Sequence, residues 1–121
     1  MGVLSDCEVG CDIERVVPAP FEIAEHYFCQ AELEYIKSAK EKDKAFFTLW
    51  TLKESYMKMT GQGMSLSLDS FEIIQTTNGF TLGNLSQKHC VFKTVEFEDY
   101  VFSICNENDF TLTRTHLYDL L

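Results

Sequence analysis

Apolar residues recur along this chain at two different periods, and the change of period divides it. Over 43–63, "DKAFFTLWTLKESYMKMTGQG" puts Phe46, Leu49, Trp50 and Met57 on one helical face, with Leu52 and Tyr56 on the neighbouring arc. That spacing predicts a helix of about four to five turns, ended by Gly61 and Gly63. Beyond it the grammar becomes that of strands: "SFEIIQT" (70–76), "GFTLG" (79–83), "CVFKTVEF" (90–97) and "YVFSICN" (100–106). They are separated by the turn-like "TNG" and "EDY", the first of which suits a tight hairpin. Before the helix, "CEVGCDI" (7–13) mixes β-branched and small residues and reads as a strand. Pro18 and Pro20 then interrupt the chain, since neither an interior helix position nor a ladder accommodates two prolines so close together. "FEIAEHYFC" (21–29) and "AELEYIKSA" (31–39) follow as two short amphipathic helices. The charged "EKDK" reads as a solvated turn or helix start. The tail 112–121 carries at most one helical turn, in "HLYDLL".

The sum is an α+β fold, a long helix laid against an antiparallel sheet of about four strands. No linker-like stretch or internal repeat divides the 121 residues, so 1–121 reads as a single domain with enough apolar residues, 45%, for a real core. Ten basic against 19 acidic residues give a net charge of −9. Such a balance argues against nucleic acid as a partner, because phosphate neutralisation needs clustered Lys and Arg. It points away from a membrane too, as no apolar run approaches the roughly 20 residues needed to span one. Cys7, Cys11, Cys29, Cys90 and Cys105 are odd in number and form no C-x-x-C pair, a pattern of reduced thiols and of a cytoplasmic chain.

Chemistry enters with four charged positions. In the first strand Asp12 and Glu14 share a face, while Cys11 and Ile13 point the other way. On the long helix Glu54 and Lys58 lie four residues apart and share a face, beside Lys53. Taken alone, each pair has an ordinary explanation. Two acids keep an edge strand soluble, and an i,i+4 pair on a helix contributes about 0.3–0.5 kcal/mol.

Together they fall in a specific frame. "GCDIERV", followed some forty residues later by "FFTLWTLKESYMKMTGQGMSLSLDSFEI", resembles the 4′-phosphopantetheinyl transferase superfamily. Its signature is G-x-D-I-E and then F-x-x-x-W-x-x-K-E-[AS]-x-x-K-x-x-G-x-G. The likeness covers nearly the whole chain and is closest to the C-terminal lobe of the two-lobed enzymes that activate nonribosomal peptide and polyketide synthases.

The resemblance implies transfer of the phosphopantetheine arm of coenzyme A to a serine of an acyl or peptidyl carrier protein, with Mg²⁺ on the pyrophosphate. Position by position it makes Asp12, Glu14 and Glu54 the metal ligands, an oxygen set that suits a hard cation. It gives Glu54 a part in taking the serine proton, Lys58 a contact to the pyrophosphate and Lys53 a second phosphate contact. Trp50, Phe46 and Phe47 match the motif as well, and on a helix such residues are core anchors. The N-terminal lobe of the two-lobed enzymes, which carries much of the coenzyme A pocket, has no counterpart before Val3. The short trimeric synthases of this length carry a histidine motif that "VFSICNEND" lacks. The resemblance therefore implies a homo-oligomer, a dimer rather than a trimer, or alternatively a non-catalytic association lobe. In the family the carrier meets the stretch after the first acidic motif, here "RVVPAPFEIAEHYF", whose apolar residues equally suit the core.

Overall fold

Small residues set the architecture, because they let one helix lie directly on a sheet. The structure is a computed structural model, and residues 9–61, 67–77, 79–83 and 91–106 are described. Strand β1 (Val9–Arg15) leads through the two prolines to helices α1 (Phe21–Tyr27), α2 (Gln30–Ser38) and α3 (Lys42–Thr60). After a single 3₁₀ turn, Leu68–Ser70, come the hairpin β2 (Ile73–Thr76) and β3 (Gly79–Leu82), then β4 (Val91–Phe97) and β5 (Tyr100–Asn106). The predicted α+β arrangement of a long helix on an antiparallel sheet is what forms.

The strands do not make one sheet. β5 is the centre of a three-stranded antiparallel sheet ordered β1-β5-β4, and β2 and β3 pair separately. Thr76 pairs with Gly79 across the "TNG" turn, and Phe97 with Tyr100 across "ED", where Glu98 takes a positive φ of 56°. β1 reaches Arg15, two residues past the predicted end, because Glu14 and Arg15 still have partners in Val101 and Tyr100. The start of that predicted strand and the tail 112–121 lie outside the described residues, as does Gly63. Gly61 caps α3 in the left-handed conformation at φ 74°.

α3 is buried on almost every side: Ala45, Phe46, Phe47, Leu49, Leu52, Met57 and Met59 all belong to the core. One side stacks rings, with Phe46 against Phe28 at 5.5 Å and against Trp50 at 6.0 Å. The side facing the sheet carries small polar residues instead. Thr51 Oγ1 and Ser103 Oγ meet at 2.7 Å, Thr94 Oγ1 joins at 3.2 Å, and Ser55 Oγ donates to the Leu52 carbonyl. Every hydroxyl in this buried seam is satisfied, so helix and sheet can approach closely without an unpaired polar group.

Gly10 is the closest point of that approach. A Cβ there would overlap the Ser55 carbonyl oxygen and the Met59 amide nitrogen, both backbone atoms that cannot yield without moving α3. Gly10→Ala is therefore expected to destabilise the fold by about 3 kcal/mol, at the upper end for overpacking. Urea titration checks this, and an unchanged midpoint would show that β1 has room to shift.

Candidate functional site

Because Gly10 faces α3, alternation turns Asp12 and Glu14 toward the same helix and Cys11, Ile13 and Arg15 to the opposite side of the sheet. Trp50, Glu54 and Lys58, spaced by four, form the stripe of α3 that meets them. The two acids are thus not a solubilising outer face. The Asp12 side chain is only 9% exposed, and its Oδ1 accepts a 2.9 Å hydrogen bond from Lys58 Nζ. Asp12 Oδ2 is buried with no hydrogen-bond partner. The Asp12 charge acts on both Glu14 and Glu54, and Glu54 acts in turn on Glu14.

All three carboxyls titrate above their ordinary range. Burial is the leading cause in each; repulsion from Asp12 comes second for Glu14 and Glu54, while Lys58 pulls all three back down. The Asp12 hydrogen bond holds the Lys58 ammonium above its usual value. A raised carboxyl keeps a proton in the folded chain that the unfolded chain has released. Its contribution to stability therefore falls as pH rises from the ordinary value, about 4, through the raised one. Glu54→Gln is accordingly expected to raise the thermal midpoint of the metal-free chain near neutral pH. The gain should stay under about 1 kcal/mol, since Glu54 is screened by solvent, and should vanish near pH 4. A variant that is less stable at neutral pH would contradict this electrostatic picture.

Lys53 stands elsewhere than the motif suggested, and Trp50 has a second neighbour besides the core. Lys53 does not join the cluster. It is fully buried on another side of α3, where Nζ donates to both Glu32 carboxylate oxygens, at 2.9 and 2.7 Å, and to the Phe71 carbonyl at 2.7 Å. Its three donors are all used, and the Phe71 ring lies 4.4 Å away. Glu32, equally buried, also accepts from the amides of Cys29 and Ile73 at 2.8 and 2.6 Å. As placed, Lys53 has no hydrogen to offer a phosphate. It locks α2, α3 and the entry to β2 together.

Trp50 is the converse case. It stacks in the core as expected, and its indole also stands by Glu14, helping to lower a carboxyl that burial raises. The i,i+4 relation of Trp50 to Glu54 was the available signal for that second task. Nothing in the spacing pointed to Glu32, whose partner lies 21 residues away. Of the histidines, His26 is exposed at the end of α1, and His89 and His116 lie outside the described residues.

The donor set of Asp12, Glu14 and Glu54 is all carboxylate oxygen, with one buried oxygen unpartnered, and so suits a hard divalent cation. Among the described residues, no three His, Cys, Asp or Glu side chains form a ready-made cage, and Asp12 is turned toward Lys58. A cation would have to draw Asp12 away from the ammonium. No described helix is long and apolar enough to cross a membrane.

Comparison with known proteins shows the family and the fold. Residues 8–105 match the family described as the 4′-phosphopantetheinyl transferase superfamily. The chain is 37% identical over 103 residues to the 4′-phosphopantetheinyl transferase Sfp of Bacillus subtilis, covering 80% of this chain and 46% of that protein. It thus spans about half the length of the curated relatives it matches. Among solved structures it resembles the holo-[acyl-carrier-protein] synthase of Thermotoga maritima, with a TM-score of 0.71 at 17% identity, covering 82% of this chain and 61% of that one. It also resembles the synthase of Bacillus anthracis in complex with CoA (3′,5′-ADP), with a TM-score of 0.69 at 15% identity, covering 82% and 93%. At such identities these two likenesses speak to the fold.

Proposed function

Because the chain belongs to the 4′-phosphopantetheinyl transferase superfamily, we propose that it transfers the 4′-phosphopantetheine arm of coenzyme A to a serine of an acyl or peptidyl carrier protein, with Mg²⁺ as cofactor. The observation that carries this reading is the meeting of Asp12, Glu14, Glu54 and Lys58 at the β1–α3 contact, around an Asp12 oxygen that is buried and unpartnered. Asp12, Glu14 and Glu54 would hold the cation. When bound, it neutralises charge on the pyrophosphate of coenzyme A.

The chain's own groups divide the remaining work. Glu54 accepts the proton of the carrier serine as its oxygen bonds to the β-phosphorus. The bond from that phosphorus to the bridging oxygen breaks, and adenosine 3′,5′-bisphosphate leaves. Burial keeps Glu54 a better base than an ordinary carboxylate. Lys58 is half exposed on a flexible stem. It exchanges Asp12 for the pyrophosphate, where its ammonium meets negative charge as the bond breaks. Trp50 stands by Glu14 and helps to keep it ionised.

In this reading a second copy of the chain completes the coenzyme pocket. The face of the β1-β5-β4 sheet turned away from α3 leaves Ile13, Tyr100 and Phe97 exposed at 42, 38 and 50%. Exposed apolar groups of this kind mark interfaces. These three lie at the β4–β5 turn end of that face, whose centre, Phe102 and Ile104, is already buried, so a homodimer through that end of the sheet is the assembly this reading takes. The decisive experiment is mass spectrometry of an apo carrier protein incubated with the chain, coenzyme A and Mg²⁺, with sedimentation run on the same samples. The expected result is a gain of one phosphopantetheinyl group per carrier, at a rate rising more steeply than the first power of chain concentration. A clean monomer at micromolar concentration with no transfer would favour the second reading, a non-catalytic association lobe.

A further inference from the structure

A cavity between α1 and α2 combines apolar walls with charges of both signs. Its volume is about 180 Å³. Phe21, Ala24, Leu33 and Ile36 form the walls, and Glu25, Lys37 and Lys42 complete the lining. Ala24 and Ile36 are buried in the core, which fixes the floor, while Phe21 is 37% exposed and braced edge-on against Phe46 at 6.3 Å. None of these residues belongs to the carboxylate cluster.

The charges around the cavity are not spent on one another. Glu25 comes from α1, Lys37 from the last turn of α2 and Lys42 from the first position of α3. Glu25 and Lys37 make no ion pair or hydrogen bond among the described residues. Lys42 gives one of its three hydrogens to the Ala39 carbonyl, at 3.1 Å. A carboxylate and two ammonium groups that line one cavity without pairing leave both signs to be met by something between them. A ligand with a carboxylate alone would gain the lysines and be opposed by Glu25, and one with an amine alone would meet the reverse. A zwitterion satisfies both. Size narrows the choice further. An apolar cavity of about 150 Å³ accepts a body as large as benzene, so this one takes a single branched or aromatic side chain.

We propose that this cavity binds a free α-amino acid with a bulky apolar side chain. The side chain sits among Phe21, Leu33 and Ile36, the carboxylate pairs with Lys37 and Lys42, and the ammonium pairs with Glu25. The site is independent of the transfer reading and stands or falls without it.

The probe is L-leucine, titrated at low salt into the isotope-labelled full chain and followed by two-dimensional NMR. The expected result is saturable shifts, at millimolar ligand, confined to amides of α1, α2 and the start of α3. Three analogues apportion the recognition: isocaproate lacks the ammonium, isoamylamine lacks the carboxylate, and N-acetyl-leucinamide keeps the side chain without either charge. Each is expected to bind about tenfold more weakly than leucine, as loss of a charge-assisted contact implies. Glu25→Gln should weaken leucine about fivefold and tighten isocaproate, whereas Lys37→Gln combined with Lys42→Gln should weaken both. Lys93→Gln, on β4, should change neither. One substitution moving two ligands in opposite directions cannot be imitated by a loss of fold, which the same spectra report. No saturable shifts in α1 and α2 of the wild-type chain, N-acetyl-leucinamide binding as tightly as leucine, or Glu25→Gln weakening leucine and isocaproate alike would overturn the site.

Discussion

Lys53→Met will destabilise the chain by about 3–5 kcal/mol, the cost of stranding one partner of a fully buried ion pair. Glu32 would keep its hydrogen bonds from the Cys29 and Ile73 amides but lose the cation that balances its charge, and the Phe71 carbonyl would lose its donor. Stranding is the cause, so Lys53→Met combined with Glu32→Gln should recover part of the loss, because the amide carries no charge and can still accept and donate. Denaturant midpoints for both variants check this. A Lys53→Met chain as stable as wild type, with transfer selectively lost, would instead return Lys53 to the phosphate site that the sequence motif suggested.

Glu54→Gln will abolish transfer while leaving the fold at least as stable as wild type. Glutamine fills the same space and removes both the proton acceptor and one cation ligand, so the loss should exceed the 10²–10⁴-fold typical of a general base alone. The metal-free variant is also relieved of a charge that burial and Asp12 disfavour. Stability and activity therefore move in opposite directions, as they do where a site is built at the expense of the fold. Glu41→Gln is the control: Glu41 sits at the exposed start of α3 against Lys44 and should leave transfer unchanged. Steady-state assays with circular dichroism melts on the same preparations separate the two effects. Transfer surviving in Glu54→Gln would remove Glu54 from the chemistry.

What the sequence revealed, and what it hid, follows from the range of the interactions involved. The long helix was legible because its cause is local: apolar residues at helical spacing and Gly61 at its end. The two hairpins were legible from their turns. That Asp12 and Glu14 share a face also follows from alternation; which face depends on Gly10, whose missing side chain is what brings that side of β1 against α3. The separation of β2 and β3 from the main sheet was not legible, since strand order is a non-local choice that no strand's own pattern encodes. Lys53 was hidden for the same reason. A lysine beside a glutamate on a helix looks solvated until a carboxylate from another helix, itself held by two backbone amides, is found to enclose it. Trp50 was half legible: its bulk identified a core anchor, and only the placement of Glu14 gives the indole a second neighbour.

The claim on which the rest depends is that Asp12, Glu14 and Glu54 form one divalent-cation site, and it is tested most directly by calorimetric titration of Mg²⁺ into the purified chain near neutral pH, beside Glu54→Gln. The predicted result is one ion bound per chain with release of the Lys58–Asp12 contact, a stabilisation of about 1.4 kcal/mol at ten times the dissociation constant, and loss of binding in the variant and at pH 4, where the carboxyls are protonated. No binding by the wild-type chain, or equal binding by Glu54→Gln, would contradict it.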